Sequence, residues 1–167
     1  MGQSKESIMR MFYEEPSQSF TVRQISRSTK IPKSTVHKYL VELKKEGLIT
    51  KNNTSTDGLF FKIKKTNYFI EEIVKSGLID YLIENLNPSG IVLFGSIRKG
   101  ESNRESDIDL FIETSIKKEL NLKQYERKLK HKIQLFIESS ISKLQPNLLN
   151  NVVNGIKLYG VIKLNEK

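Results

Sequence analysis

The run Ile91-Val92-Leu93-Phe94 leads straight into Gly95-Ser96, and after ten intervening residues the chain reads Asp107-Ile108-Asp109-Leu110-Phe111-Ile112. Both apolar runs are short and rich in strand-forming residues. The first follows the turn-forming Pro88-Ser89-Gly90, so each reads as a strand. Successive side chains on a strand alternate between faces, which puts Asp107 and Asp109 on one face, about 6–7 Å apart. Two carboxylates held this way suit a hard divalent cation such as Mg2+, which takes oxygen ligands and keeps water or phosphate oxygens for the rest. Gly95 allows backbone to approach a ligand closely. A helix starting at Ser96 would present free N–H groups to an anion, and Arg98 and Lys99 add positive charge nearby. The segment therefore sets phosphate donors beside metal ligands, as nucleoside triphosphate chemistry requires. Gly-Ser or Asp-x-Asp alone would fit a plain turn with two surface aspartates. Their joint occurrence at strand end and strand start is what makes the reading specific.

This Gly95-Ser96, ten residues, Asp107-Ile108-Asp109 pattern, with Arg98, Gly100 and Ser106 between, resembles the signature of minimal nucleotidyltransferases within the DNA polymerase β superfamily. The resemblance extends over about residues 78–164. It implies that Gly95 and Ser96 hold the triphosphate, and that Asp107 and Asp109 bind one or two Mg2+ ions and are catalytic. One position departs from the pattern. The family's active members carry a third carboxylate on a later strand, and the matching run, His131-Lys132-Ile133-Gln134-Leu135-Phe136-Ile137, has Gln134 there. An amide can accept a hydrogen bond but cannot act as a base or supply a full charge. Glu113 and Glu138, in phase with Asp109 and Gln134 respectively, are candidate substitutes.

The charge of the chain is unevenly spread. Residues 1–65 hold 13 Lys or Arg against 6 Asp or Glu, whereas residues 66–167 hold 15 against 13. The net charge of +9 is thus concentrated in the first third, which points to a polyanionic partner for that part. With no cysteine, a disulfide framework and cysteine-ligated zinc are excluded, and His37 and His131 show no metal-binding spacing. No apolar run approaches the length that spans a bilayer. The N-terminus has no secretory apolar region, and Glu6 breaks an N-acylation pattern starting Met1-Gly2. A cytoplasmic protein without a membrane partner is expected.

In the first third, Ile8, Met11 and Phe12 lie at helical spacing over 4–14. Thr21 and Gln24 form a capping box for a second helix with Val22 and Ile25 inward. Lys30-Ile31-Pro32 is a turn, and a third helix carries Val36, Leu40 and Leu43 on one face before Gly47 stops it. Its exposed side offers Lys33, Ser34, Thr35, His37 and Lys38, placed to reach base edges and phosphates. Runs 49–51 and 59–64, separated by a turn-forming stretch, read as a two-stranded wing. The run Ser34-Thr35-Val36 with Tyr39, Leu40, Leu43, Gly47, Leu48 and Ile49 resembles the winged helix-turn-helix family of transcription regulators, implying DNA binding through residues 1–65.

Residues 66–87 keep helical period with Gly77 as a joint, residues 117–130 read as a polar helix and 147–159 as a last helix. The expected fold is α+β. A winged helix-turn-helix (1–65) and a helical connector (66–77) lead into a nucleotidyltransferase-fold mixed sheet with flanking helices (78–167). The expected function is Mg-dependent transfer of a nucleoside monophosphate from a nucleoside triphosphate to a hydroxyl, by a DNA-binding protein. A transcriptional regulator whose transferase domain senses nucleotide or is inactive is the second reading, favoured by Gln134. The third is an antitoxin-like partner of a small helical RNase toxin, since proteins resembling minimal nucleotidyltransferases often pair with one. Winged-helix regulators are commonly dimers that match half-sites, which makes a homodimer an expectation too.

Overall fold

A computed structural model describes residues 3–163. Met1 and Gly2, read above for acylation, and residues 164–167 of the expected C-terminal domain lie outside it. The chain forms two compact units. One ends at Lys65 and also takes in Ser102–Arg104; the other comprises Thr66–Glu101 and the chain from Glu105 onward.

The first unit contains α1 (Gln3–Glu14), α2 (Val22–Thr29) and α3 (Lys33–Lys45). The capping box forms as read: Thr21 accepts from Gln24 N–H, and the Gln24 side chain accepts from Thr21 N–H. Lys30 adopts φ 59° and turns the chain from α2 towards α3. Ile25, Val36, Leu40 and Leu43 are buried, joined by Ile8, Met9 and Phe12 of α1. Burying each such side chain is worth about 1.5–3 kcal/mol. Val22 is only half-buried. The ammonium of Lys5 bridges Glu42 and Glu46 on α3. Its hydrogen bond to the Glu46 carboxylate raises its pKa, against the opposing effect of burial.

The wing does not form. Residues 59–64, expected as its second strand, open α4 (Leu59–Lys75). Only the single bridge Ile49↔Ser55 remains of the hairpin. The run Leu59-Phe60-Phe61-Lys62-Ile63-Lys64 fits either period over six residues, and its continuation decides. Phe61, Lys65, Phe69 and Ile73, four residues apart, are all buried, which only a helix achieves. Asp57-Gly58 thus precedes a helix rather than closing a hairpin; Lys62 N–H donates to Gly58 O and the Lys62 ammonium pairs with Asp57. Residues 49–55 instead close on themselves through Thr50 N–H to Thr54 O, and Asn53 exchanges hydrogen bonds with the Phe20 backbone. Lys65, fully buried, donates to Ser102 O. Burial pulls its pKa down to about 8 despite the opposing charge of Glu14.

The boundary between the units falls inside α4. In the second unit Gly77, at φ 82°, separates α4 from α5 (Leu78–Leu86). A mixed sheet follows, built from β1 (Gly90–Phe94), β2 (Ile108–Glu113), β3 (Ile133–Glu138) and β4 (Ile156–Gly160) in the order β3-β2-β1-β4. β1 is antiparallel to β2 and β4, and β2 is parallel to β3. Parallel neighbours need a crossover, supplied here by a segment that includes α7 (Lys123–Leu129). That helix is shorter than the expected 117–130. Between β1 and β2 sits the single-turn α6 (Gly95–Lys99).

The C-terminal expectation also changes. The helix expected over 147–159 stops as α8 (Pro146–Val153), and Ile156 onward forms β4. Gly155 explains the switch. A Cβ there would lie 2.3 Å from Val92 Cγ1 and 2.7 Å from Leu93 O, so the chain crosses β1 at a point where only glycine fits. One sheet face carries Val92, Phe94 and Phe111, which cluster with Ile141 and Val152 of the segment after β3. The other carries Ile91, Leu93, Leu110 and Ile112, all fully buried.

Candidate active site

β1 ends where β2 begins. In their antiparallel register Phe94 pairs with Asp109, so the residue after β1, Gly95, emerges beside the Asp109 carboxyl. Gly95 has φ +74°, and a Cβ built on it would lie 1.9 Å from Asp109 Oδ2 and 2.9 Å from its Cγ. The glycine is therefore required twice, for its left-handed backbone and for the space it leaves. Ser96 follows on the first turn of α6, where Gly100 N–H and Glu101 N–H donate to its carbonyl. Thr66 Oγ1 donates to the carbonyls of Ile97 and Arg98 at 3.1 and 3.2 Å, tying α6 to α4. Arg98 is half-buried and Lys99 exposed. Among the described residues neither is ion-paired with the aspartates.

Asp109 is half-buried on the face that carries Phe111, and Asp107 precedes β2 on the same phase. Burial raises the Asp109 pKa, and the negative charge of Asp107 raises it further. Among the described residues no Lys or Arg neutralises the pair. Two neighbouring carboxylates, one of them pressed towards protonation, form an oxygen-only donor set of the kind hard divalent cations take. These residues fit a divalent ion that draws its other ligands from water and substrate phosphates.

Strand register fixes where Gln134, Glu113 and Glu138 lie relative to Asp109. In the parallel β2–β3 pair Asp109 lies opposite Gln134, so Gln134 occupies the position next to Asp109 on the same face. Glu113 and Glu138 pair with each other at the far end of the strands. Four residues separate each from Asp109 or Gln134, about 13 Å, so neither can substitute. Glu113 is also committed elsewhere: its Oε2 accepts from Ser89 Oγ and its Oε1 from Ile141 N–H. No group of three acidic, His or Cys residues able to hold a metal occurs among the described residues.

His131 is a contributor that sequence spacing missed. Buried against Phe69, its Nδ1–H donates to Ser106 O at 2.6 Å, which fixes the backbone just before Asp107. No metal-ligand spacing could have revealed it, because its role is to hold main chain.

A family model of the nucleotidyltransferase domain matches residues 75–165, more than half of the chain. The chain belongs to that family. A model of the IclR helix-turn-helix domain matches residues 7–53 at its N-terminus. No individual curated protein matches the chain. The nucleotidyltransferase domain holds Gly95, Ser96, Asp107 and Asp109 and, with Gln134, gathers them at one end of its sheet. In the helix-turn-helix DNA-binding domain, Lys33, Ser34, His37 and Lys38 are exposed on α3 and Thr35 is half-buried. All five lie in the first two turns of α3. No helix among the described residues is long and apolar enough to cross a membrane.

Proposed function

We propose that the nucleotidyltransferase domain moves a nucleoside monophosphate from a nucleoside triphosphate to a hydroxyl acceptor in the presence of Mg2+. The observation that carries this is Gly95 seated against the Asp109 carboxyl with Asp107 beside it. Asp107 and Asp109 would hold the ion. Gly95 and Ser96 would bind the triphosphate through backbone N–H and hydroxyl, with Arg98 and Lys99 adding positive charge. The bound ion would stabilise the negative charge on the phosphate oxygens as the α-phosphorus becomes pentacoordinate. The acceptor oxygen bonds to the α-phosphorus, the bond to the β-phosphate oxygen breaks, pyrophosphate departs, and the hydroxyl proton passes to solvent. Solvent takes it because Gln134 stands where a carboxylate base would stand.

The test is incubation with each labelled nucleoside triphosphate, Mg2+ and candidate protein and RNA acceptors. Gln134→Glu, which restores a charge in register with Asp109, should raise transfer by roughly 10²-fold, the low end for a positioned base. Binding of no nucleotide by either form would sink the proposal. Nucleotide binding without transfer by either form would favour the second reading, a DNA-binding regulator that senses nucleotide. Gln134 is the observation behind that alternative.

Lys33, Ser34, Thr35, His37 and Lys38 are proposed as the DNA-contacting residues. Lys38→Ala should flatten the dependence of log affinity on log salt by about one unit, the expectation for one lost phosphate contact. A salt titration of duplex binding measures this, and an unchanged slope removes Lys38 from the interface.

A further inference from the structure

The segment from Lys123 to Lys132 holds five Lys or Arg residues and one Glu. The fold does not scatter them. Lys123, Arg127, Lys130 and Lys132 line one open depression, together with Glu126 and buried His131. The one carboxylate is occupied, since Glu126 Oε1 accepts from Ile133 N–H. Arg127 Nε donates to Lys123 O, which steadies the guanidinium on the helix surface. Among the described residues no Asp or Glu is ion-paired with these four cations. Lys128 faces elsewhere, its ammonium donating to Ser76 O above the Tyr125 ring.

The location matters as much as the charge. Ile108 N–H donates to Lys132 O, and Ser106 O accepts from His131 Nδ1–H. The residues on either side of Asp107 are thus bonded directly to the rim of the depression. Lys123, Arg127 and Lys130 run along about 10 Å of helix surface, enough for more than one backbone phosphate at about 3.4 Å of axis per strand residue. A nucleoside triphosphate has its own donors at Gly95 and Ser96 and leaves this row of cations unused. A repeating polyanion would use it.

We propose that this depression binds the phosphate backbone of a single-stranded nucleic acid, whose terminal hydroxyl is thereby delivered to the Asp107–Asp109 site. This rests on the transferase reading above and names its acceptor class. The cations hold phosphates without reading bases, so the strand is positioned with little sequence preference.

The test is fluorescence anisotropy of labelled single-stranded RNA, about a dozen nucleotides long, with the full chain. The main variant is Lys123→Gln/Arg127→Gln/Lys130→Asn; asparagine suits the left-handed φ of 59° at position 130. All three side chains are exposed, and Lys132 is left alone because of its closeness to Asp107. Strand affinity should fall at least tenfold, and the salt slope should drop by about 2, from three contacts at about 0.7 each. Affinity for nucleoside triphosphate with Mg2+ should not change. Charge reversal at the same positions to Glu should weaken strand binding further. An unchanged slope would overturn the proposal, and so would parallel loss of nucleotide affinity, which would assign the depression to the triphosphate. Transfer by the intact chain to a protein acceptor but to no strand would overturn the delivery of a strand's hydroxyl and leave the transferase reading standing.

Discussion

Gly95→Ala is expected to abolish nucleotide binding. Two penalties add at this position. The residue sits at φ +74°, and forcing an L-residue into left-handed backbone costs about 1–2 kcal/mol. The new methyl would also fall 1.9 Å from Asp109 Oδ2, 2.9 Å from Cγ and 3.2 Å from Cβ. The carboxylate oxygen could swing away, but Cβ is fixed by β2, so relief must come from moving Asp109 off its position. A displacement of about 1 Å at a reacting centre costs on the order of 10²-fold in rate. Gly77→Ala is the matching control in the same domain. It has φ +82° with no atom within 4 Å of the added Cβ, so it carries the strain without the clash. Denaturant unfolding should show a loss of about 1–2 kcal/mol for Gly77→Ala and a larger one for Gly95→Ala, which adds the clash to the strain. Nucleotide titration should show loss only for Gly95→Ala. Equal nucleotide affinity in both would place the site elsewhere.

The second large effect is at the carboxylates. Asp107→Asn with Asp109→Asn should remove Mg2+-dependent nucleotide binding while duplex DNA affinity stays close to the parent value, since α3 lies in the helix-turn-helix domain. The same change should not weaken the fold, and at neutral pH it should strengthen it. Burial and the charge of Asp107 raise the Asp109 pKa, so the folded state holds that proton more tightly than the unfolded chain does. The ionised form therefore costs stability, fully so above the raised value, and the cost disappears as pH falls below the ordinary carboxylate value of about 4. The double variant should be more stable than the parent at pH 7, with the gap closing towards pH 3. Paired unfolding curves at the two pH values measure it. A double variant less stable than the parent at pH 7 would mean the aspartates have structural partners in the fold.

Much of the molecule is legible without coordinates where local rules and tertiary packing agree. The Thr21–Gln24 capping box, the Gly47 stop, the apolar face of α3 and the Gly77 joint each rest on a few neighbouring residues. Strands β1 and β2 are short, apolar and bounded by turn residues, and they form where their composition puts them. Residues 59–64 and 156–159 depart from their expected states for a shared reason. Both are short apolar runs compatible with either period, and their state depends on what lies beyond them. For 59–64 the answer is a continuing helix that buries Lys65 and Phe69. For 156–159 it is an open strand position beside β1 that only a glycine at 155 allows the chain to reach.

The candidate site divides along the same line. That Gly95, Ser96, Asp107 and Asp109 come together at one end of the sheet was determined by the sequence itself, because they bound two strands that composition alone marks. Whether Glu113 or Glu138 could replace the missing carboxylate was a matter of strand register, which depends on long-range pairing and has no local signature. Parallel pairing of β2 with β3 put Gln134 opposite Asp109 and sent both glutamates to the other end. His131 under the Asp107 backbone and the basic depression at the start of β3 belong to the tertiary structure as well. Side chains far apart in sequence from the Asp-x-Asp motif become its neighbours only when two strands of a sheet are laid side by side.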